Sequence, residues 1–288
     1  MKKYLLLFLL SLIWGSQFLF VALITHDANP VIISFIKALL GAVFLWVITL
    51  FLKKTVYQKQ YGLYILIALF EVVLPFIFIA QGQRFIASGI TSIIIALTPI
   101  FTLLIMVLTV QKKLKILESF AIFLGFIGIV VISWTPQQLN MQSYISIGLL
   151  LFASLSFAIS LVLMQNLKSN APIHHMKNIL FIASGMLLLL LIIIPNTIDI
   201  KFDLYQWGAL VILGVVHAAL AFVLYNILVN KYDALYASLS NYIVPVIGVL
   251  IGFIVLNESL YVNTIIGIIL VLISLILSQI GGDKTKEI

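Results

Sequence analysis

Ten apolar runs of about twenty residues each, joined by short polar links, fill this chain of 288 residues. A helix needs about 20 residues to cross a hydrocarbon layer ~30 Å thick. Inside that layer every backbone N–H and C=O must find its partner within the segment, which leaves helices or closed barrels as the available forms. The runs read as helices over 4–24, 31–52, 62–82, 86–110, 116–134, 144–164, 176–195, 206–229, 235–256 and 261–280. Only 9% of the residues are charged and 64% are hydrophobic, whereas water-soluble domains carry about a quarter charged residues. The expected fold class is therefore an all-α integral membrane protein with ten transmembrane helices. The links THDANP, KKTVYQKQ, TPQQLN, SNAPIHH and PNTIDIKFD are too short to hold a soluble domain, so the chemistry belongs in or near the membrane.

The net charge of +7 could suggest a nucleic-acid partner, but the placement of the charges points elsewhere. With the N-terminus in the cytoplasm and ten alternating spans, thirteen lysines fall on the cytoplasmic side: Lys2, Lys3, Lys53, Lys54, Lys59, Lys112, Lys113, Lys115, Lys168, Lys177, Lys231, Lys284 and Lys286. Arg84 and Lys201 alone fall outside, and Lys37 lies within span 2. That is the positive-inside bias, and it predicts both termini in the cytoplasm of a bacterial cell. The opening MKKYLLLFLLSLIWGS has the outline of a signal peptide, yet no small-x-small site closes it, so it is expected to stay as span 1. The absence of cysteine excludes disulfides and thiolate chemistry.

The chain is also written twice. At an offset of 146 residues Ser92 falls on Ser238, Pro99 on Pro245 and Leu114 on Leu260; at an offset of 143, Trp14-Gly15 falls on Phe157-Ala158. Each half, 1–136 and 137–288, holds five spans. An odd number makes the second half enter from the opposite face, which is the inverted repeat of many secondary transporters. Such transporters bind cargo near the midplane, at helices interrupted in corresponding positions. Pro99 and Pro245 are expected interruptions, since proline removes a donor and clashes one turn back. They free the carbonyls of Ile95 and Asn241.

The stretches PFIFIAQGQRFIASGITSIIIALTPIFTLLI (75–105) and ILGVVHAALAFVLYNILVNKYDALYASLSNYIVPVIGVLIGFIVLNESL (212–260), with the WGS of span 1, resemble the EamA domain of the drug/metabolite transporter superfamily. The resemblance implies ten helices in two inverted five-helix repeats around a central cavity, lined by spans 1, 3, 4, 6, 8 and 9. It also implies export or exchange of small metabolites, often amino acids. Departures from the family pattern are Lys112 where a glutamate usually follows span 4 (Glu258 keeps its counterpart after span 9), Lys37 in place of an arginine, and the titratable Glu71 and His217 at usually neutral places.

Ionisable groups inside spans are costly, about 2.5–3.5 kcal/mol on insertion scales, and face a cavity or a partner. Glu71 sits near the middle of span 3, with Phe78 and Gly82 on its face and Gln81 beside it. It reads as a proton or cation acceptor, or a contact for a substrate amine; the structural alternative is a neutral glutamate bonded to a neighbouring helix. His217 titrates in the working range of pH and is the second proton-coupling candidate, against a buried neutral imidazole. Lys37 is expected to snorkel its stem to the interface. Span 9 presents Ser238, Tyr242, Pro245 and Val249 on one face with Asn241 beside them, and span 4 presents Ser88, Ser92, Pro99 and Thr102. Trp14 and Gln17 of span 1 complete the expected cavity wall. The serines and Gly125, Gly128 and Gly267 equally suit close helix packing.

No GxGxxG, P-loop or GxSxG motif occurs, and His174-His175, read as a loop beside Lys177, lacks the spacing of a metal site. No enzyme activity, cofactor, metal or nucleic-acid partner is expected. The expected function is a secondary transporter that exports or exchanges a small polar metabolite, an amino acid or related compound, with protons as a coupling partner. Efflux of lipophilic cations is the alternative, and an intramembrane enzyme or lipid-modifying protein the alternative of another class. The other expected partners are the lipid bilayer, the substrate and, as an open assembly, a second copy in a homodimer.

Overall fold

A computed structural model describes residues 2–52, 57–109, 115–133, 140–167, 171–194, 202–231 and 240–282. Among these residues all regular structure is helical. The helices are α1 (Lys2–Ala22), α2 (Pro30–Phe51), α3 (Tyr61–Gly82), α4 (Ser88–Ile95), α5 (Thr98–Thr109), α6 (Ile116–Ser133), α7 (Met141–Met164), α8 (Pro172–Ile193), α9 (204–231), α10 (Ser240–Val255) and α11 (Val262–Gly282). Seven spans, with α4 and α5 counted as one, are long and apolar enough to cross a membrane; apolar segments Ile116–Ile132, Ile243–Val255 and Val262–Ser278 are shorter. This is a multi-pass helical membrane protein.

Helix ends follow local sequence. Asn29 accepts from Val31 N ahead of Pro30 at the first turn of α2, and Asn140 accepts from Ser143 N at the start of α7. Asp203 and Gln206 form a reciprocal capping box at α9, the arrangement that satisfies two orphan donors at once. One boundary differs from the hydropathy reading. α8 starts at Pro172, not 176, so His174, His175 and Lys177 lie in its first turns rather than in a loop. The polar residues hide the start from hydropathy, whereas proline at the first helical position favours it. Tyr64 Oη and His175 Nδ1 bond at 2.6 Å, and Tyr57 stacks on His174 with ring centroids 5.0 Å apart.

The principal packed pairs are α6 with α11, α2 with α8, α1 with α10, α3 with α7, α4 with α10, α5 with α7, α2 and α1 with α9, and α3 with α8. Exchange α1 for α7, α2 for α8, α3 for α9, the α4–α5 span for α10 and α6 for α11, and this map returns to itself. Small residues set the crossings, as expected where lipid removes the hydrophobic drive between helices. A Cβ on Gly128 of α6 would meet the Gly267 carbonyl of α11 at 3.0 Å, and one on Gly41 of α2 would meet the Gly214 carbonyl of α9 at 2.9 Å.

Candidate functional site

α3 and α9 each change pitch halfway along. Ala68–Val73 and Leu213–Leu220 are π-helical, a rare widening of the turn that recurs at functional sites. Glu71 lies in the first and His217 in the second. Their separation is 146 residues, the offset that aligns Ser92 with Ser238 and Pro99 with Pro245. Matching by identity passes over this pair because an acid faces an imidazole, and no sequence signal marks a π turn.

Both residues line a cavity of about 130 Å³ at the centre of the bundle, smaller than the ~300–1,000 Å³ of pockets for drug-sized ligands. Its polar wall is Gln17, Lys37, Glu71, Thr98, His217 and Asn241; its aromatic wall is Trp14, Phe76, Phe157, Phe222 and Tyr225. Lys37 does not snorkel. It is buried, its Nζ sits 3.7 Å from the centre of the Phe76 ring, and it donates to Gln17 Oε1 at 3.4 Å. A cation over a ring in a desolvated place gains about 2 kcal/mol, which offsets much of the insertion cost. Its position eight residues into α2 left its direction open in the sequence; the facing Phe76 of α3 decides it.

The Ser160 hydroxyl of α7 faces the Glu71 carboxyl, but neither Oε2 nor Ser160 Oγ reaches hydrogen-bond geometry with any described group. A buried acceptor left open is costly. His217 is held more firmly. Its Nδ1 lies 3.1 Å from the Ile212 carbonyl, which can only accept, so Nδ1 carries a proton. Nε2 lies 3.2 Å from Ser16 Oγ, and that hydroxyl is also 3.0 Å from the Ile13 carbonyl. One hydroxyl proton thus has two acceptors. A neutral imidazole accepts it, whereas an imidazolium donates from Nε2 and turns the Ser16 proton to Ile13. Both protonation states of His217 are satisfied by rotating one hydroxyl.

The span-4 helix breaks at Ala96–Leu97, between α4 and α5, and Ile95, Ala96 and Thr98 reach the cavity wall. The Ile95 carbonyl freed by Pro99 accepts from Thr98 Oγ1 at 2.7 Å and from Ser154 Oγ of α7 at 3.2 Å. Either donor alone keeps it satisfied. Ser154→Ala is expected to cost only about 0.5–1.5 kcal/mol, while Thr98→Val with Ser154→Ala costs more than the two singles together because the carbonyl is then orphaned. Thermal unfolding of the four proteins in detergent measures this. At Pro245, by contrast, the helix runs through without a break.

The expected site residues divide accordingly. Trp14, Gln17, Glu71, His217 and Asn241 come together on the cavity wall. Ser92 and Pro245 lie between α4 and α10, where Ser92 Oγ donates to Gly89 O at 2.6 Å and lies 3.4 Å from Pro245 O; Val249 packs on Gly89 beside them. Phe78 packs on the apolar core, while Gln81 and Pro99 are part-buried outside the wall. Ser238 and the side chain of Tyr242 fall outside the described residues. Lys37 of span 2 joins the wall without having been expected there, while Thr98 and the Phe157–Met164 face of α7 lie on spans 4 and 6, expected as lining, though these residues were not singled out. Among the described residues no cluster of His, Asp and Glu could hold a metal ion.

One end of the bundle is bolted by polar contacts. Glu258 accepts from Ser88 N at 2.6 Å and from Gly89 N at 3.0 Å, capping α4 from the α10–α11 link. The left-handed backbone of Asn257 (φ 54°) turns the chain there. Arg84 donates to the carbonyls of Thr25 and Ala28 at 2.8 and 2.6 Å, Gln83 to Phe18 O at 2.9 Å, and the Thr25 hydroxyl bonds the Ala80 carbonyl.

A small cavity that sets polar and ionisable groups among aromatic faces, inside a membrane bundle of this packing symmetry, belongs to the class of membrane transporters. The chain is a member of the EamA-like transporter family, whose model matches residues 1–134 and 144–279. Similar proteins include an uncharacterized transporter of Archaeoglobus fulgidus, 27% identical over 96% of this chain and 98% of the relative. The uncharacterized transporter YoaV of Bacillus subtilis is 26% identical over 96% of each chain. A biotin transporter of Escherichia coli is 22% identical over 75% of this chain and 73% of its own. A solved crystal structure shares the fold at a TM-score of 0.70, with 14% identity over 97% of this chain and 96% of its own.

Proposed function

We propose that the protein is a secondary transporter that exports or exchanges a small polar metabolite, an amino acid or related compound, across the cytoplasmic membrane. It carries out no covalent chemistry, and both termini lie in the cytoplasm. The repeats 1–136 and 137–288 rock about the central cavity in alternating access. The observation that carries this reading is the pair of π segments whose Glu71 and His217, 146 residues apart, line one small cavity. A relative named for biotin supports a small-metabolite cargo. Lys37 in the cavity weighs against lipophilic cations.

The Ser16–His217 pair supports proton coupling, because its hydrogen bonds survive a change of charge. Purified protein in proteoliposomes is expected to exchange labelled amino acids by counterflow, and a pH gradient is expected to drive net movement. His217→Gln should keep counterflow and lose the gradient's drive by tenfold or more. A variant that still follows the gradient would remove His217 from the coupling, and absence of counterflow with amino acids, dyes and sugars alike would refute transport.

A further inference from the structure

We infer that Lys37 anchors a carboxylate of the cargo, which makes the transported class organic acids and zwitterions rather than amines; this rests on reading the cavity as the transport site. An ammonium has three N–H donors and no acceptor. Lys37, 4% exposed and on the cavity wall, has two described contacts, Gln17 Oε1 at 3.4 Å and the Phe76 ring at 3.7 Å. Neither carries a charge. A buried charge is ordinarily held by a partner of opposite sign, and no ion pair joins Lys37 to Glu71, the carboxylate of the same wall.

The arrangement leaves two donors of the ammonium for an incoming anion. Gln17 holds the head from one side and the Phe76 face from another, so the ammonium is positioned before cargo arrives. A carboxylate that docks there brings the missing negative charge and accepts two N–H bonds. Glu71, on the same wall, remains for an amine or hydroxyl on the same molecule. Trp14, Phe157 and Phe222 offer apolar faces to its side group. An amine without a carboxylate would instead meet Lys37 as a like charge in a desolvated space, where repulsion is poorly screened.

The test uses three matched probe sets in proteoliposome counterflow, built on the alanine, leucine and phenylalanine skeletons. Each set holds the amino acid, the acid lacking the amine and the amine lacking the carboxylate. The wild-type protein is expected to carry acid-bearing members at least tenfold faster than the amine of the same set. Lys37→Met should lower that carriage at least tenfold, Lys37→Arg should retain most of it, and carriage of the amines should hold or rise. Equal handling of acids and amines by the wild type, or Lys37→Met carrying acids at the wild-type rate, overturns the assignment. So does carriage of dyes or sugars with every probe refused, an outcome that leaves the transport reading standing. Refusal of every solute sinks both. If Lys37→Met does not elute as a folded protein on size exclusion, the wild-type preference within each set decides alone.

Discussion

Gly214→Leu is expected to lower the melting temperature in detergent and to abolish transport. A Cβ at this position would stand 2.5 Å from Leu40 Cβ, 3.0 Å from the Lys37 carbonyl and 3.3 Å from Gly41 N. Two of the three obstacles are backbone of α2, so rotamer changes give no relief and the helices must part. Overpacking costs about 1–3 kcal/mol where side chains can yield, and here the upper figure is the floor. At roughly 2–4 °C per kcal/mol for a large chain, the melting temperature falls by about 6 °C or more. Function is hit harder, because the glycine lies in the first turn of the π segment that carries His217 and presses on the turn that carries Lys37. A separation on the order of 1 Å between them loosens a site that needs its groups placed within ~0.5 Å. Gly185→Leu is the control, with nothing within 4 Å of its Cβ, and should leave both measurements unchanged. A Gly214→Leu protein with wild-type stability would show that the α2–α9 contact is not the tight crossing described.

Glu258→Ala is expected to unlock the Arg84 end of the bundle. The carboxylate takes two backbone donors at the start of α4. Hydrogen bonds to a charged group contribute about 1.5–3 kcal/mol each, and the helix dipole adds a few tenths or more. Losing about 3 kcal/mol from one side of a two-state balance shifts it by roughly 100-fold. A single cysteine at Ser92, a residue with no exposure between α4 and α10, reports the change in a chain that has no cysteine of its own. Its reaction with a water-soluble maleimide is expected to rise at least tenfold in the Glu258→Ala background. Glu258→Gln should fall between, since an amide oxygen still accepts one bond. Equal labelling in all three proteins would mean that the carboxylate does not hold this end shut.

Hydropathy carried most of the architecture, since α2 spans 30–51 against an expected 31–52 and α3 spans 61–82 against 62–82. It misjudged α8, where two histidines and a lysine lie inside the helix. The site was legible wherever polarity itself was the signal: Glu71, His217, Gln17 and Asn241 stand out in apolar runs. What stayed hidden depends on contacts across the bundle. The sequence places Ser154 of α7 59 residues from the carbonyl it satisfies, and Phe76 39 residues from the ammonium it covers. The two prolines looked alike in sequence yet act differently. Pro99 sits at the start of α5, behind a real break, whereas Pro245 is absorbed within α10 and its neighbourhood serves packing against Ser92.

In sequence the glutamate bolt is not repeated. Its equivalent at the offset of 146 is Lys112, and an ammonium offers no lone pair to the free N–H groups that open a helix. A pair of identical repeats would rest equally in two opposite postures, since turning the molecule over would reproduce it. Here the sequence offers a carboxylate to one posture and an ammonium in its place to the other. Such a carrier is expected to rest in the clasped posture, and exchanging the residues at 112 and 258 should tilt it the other way.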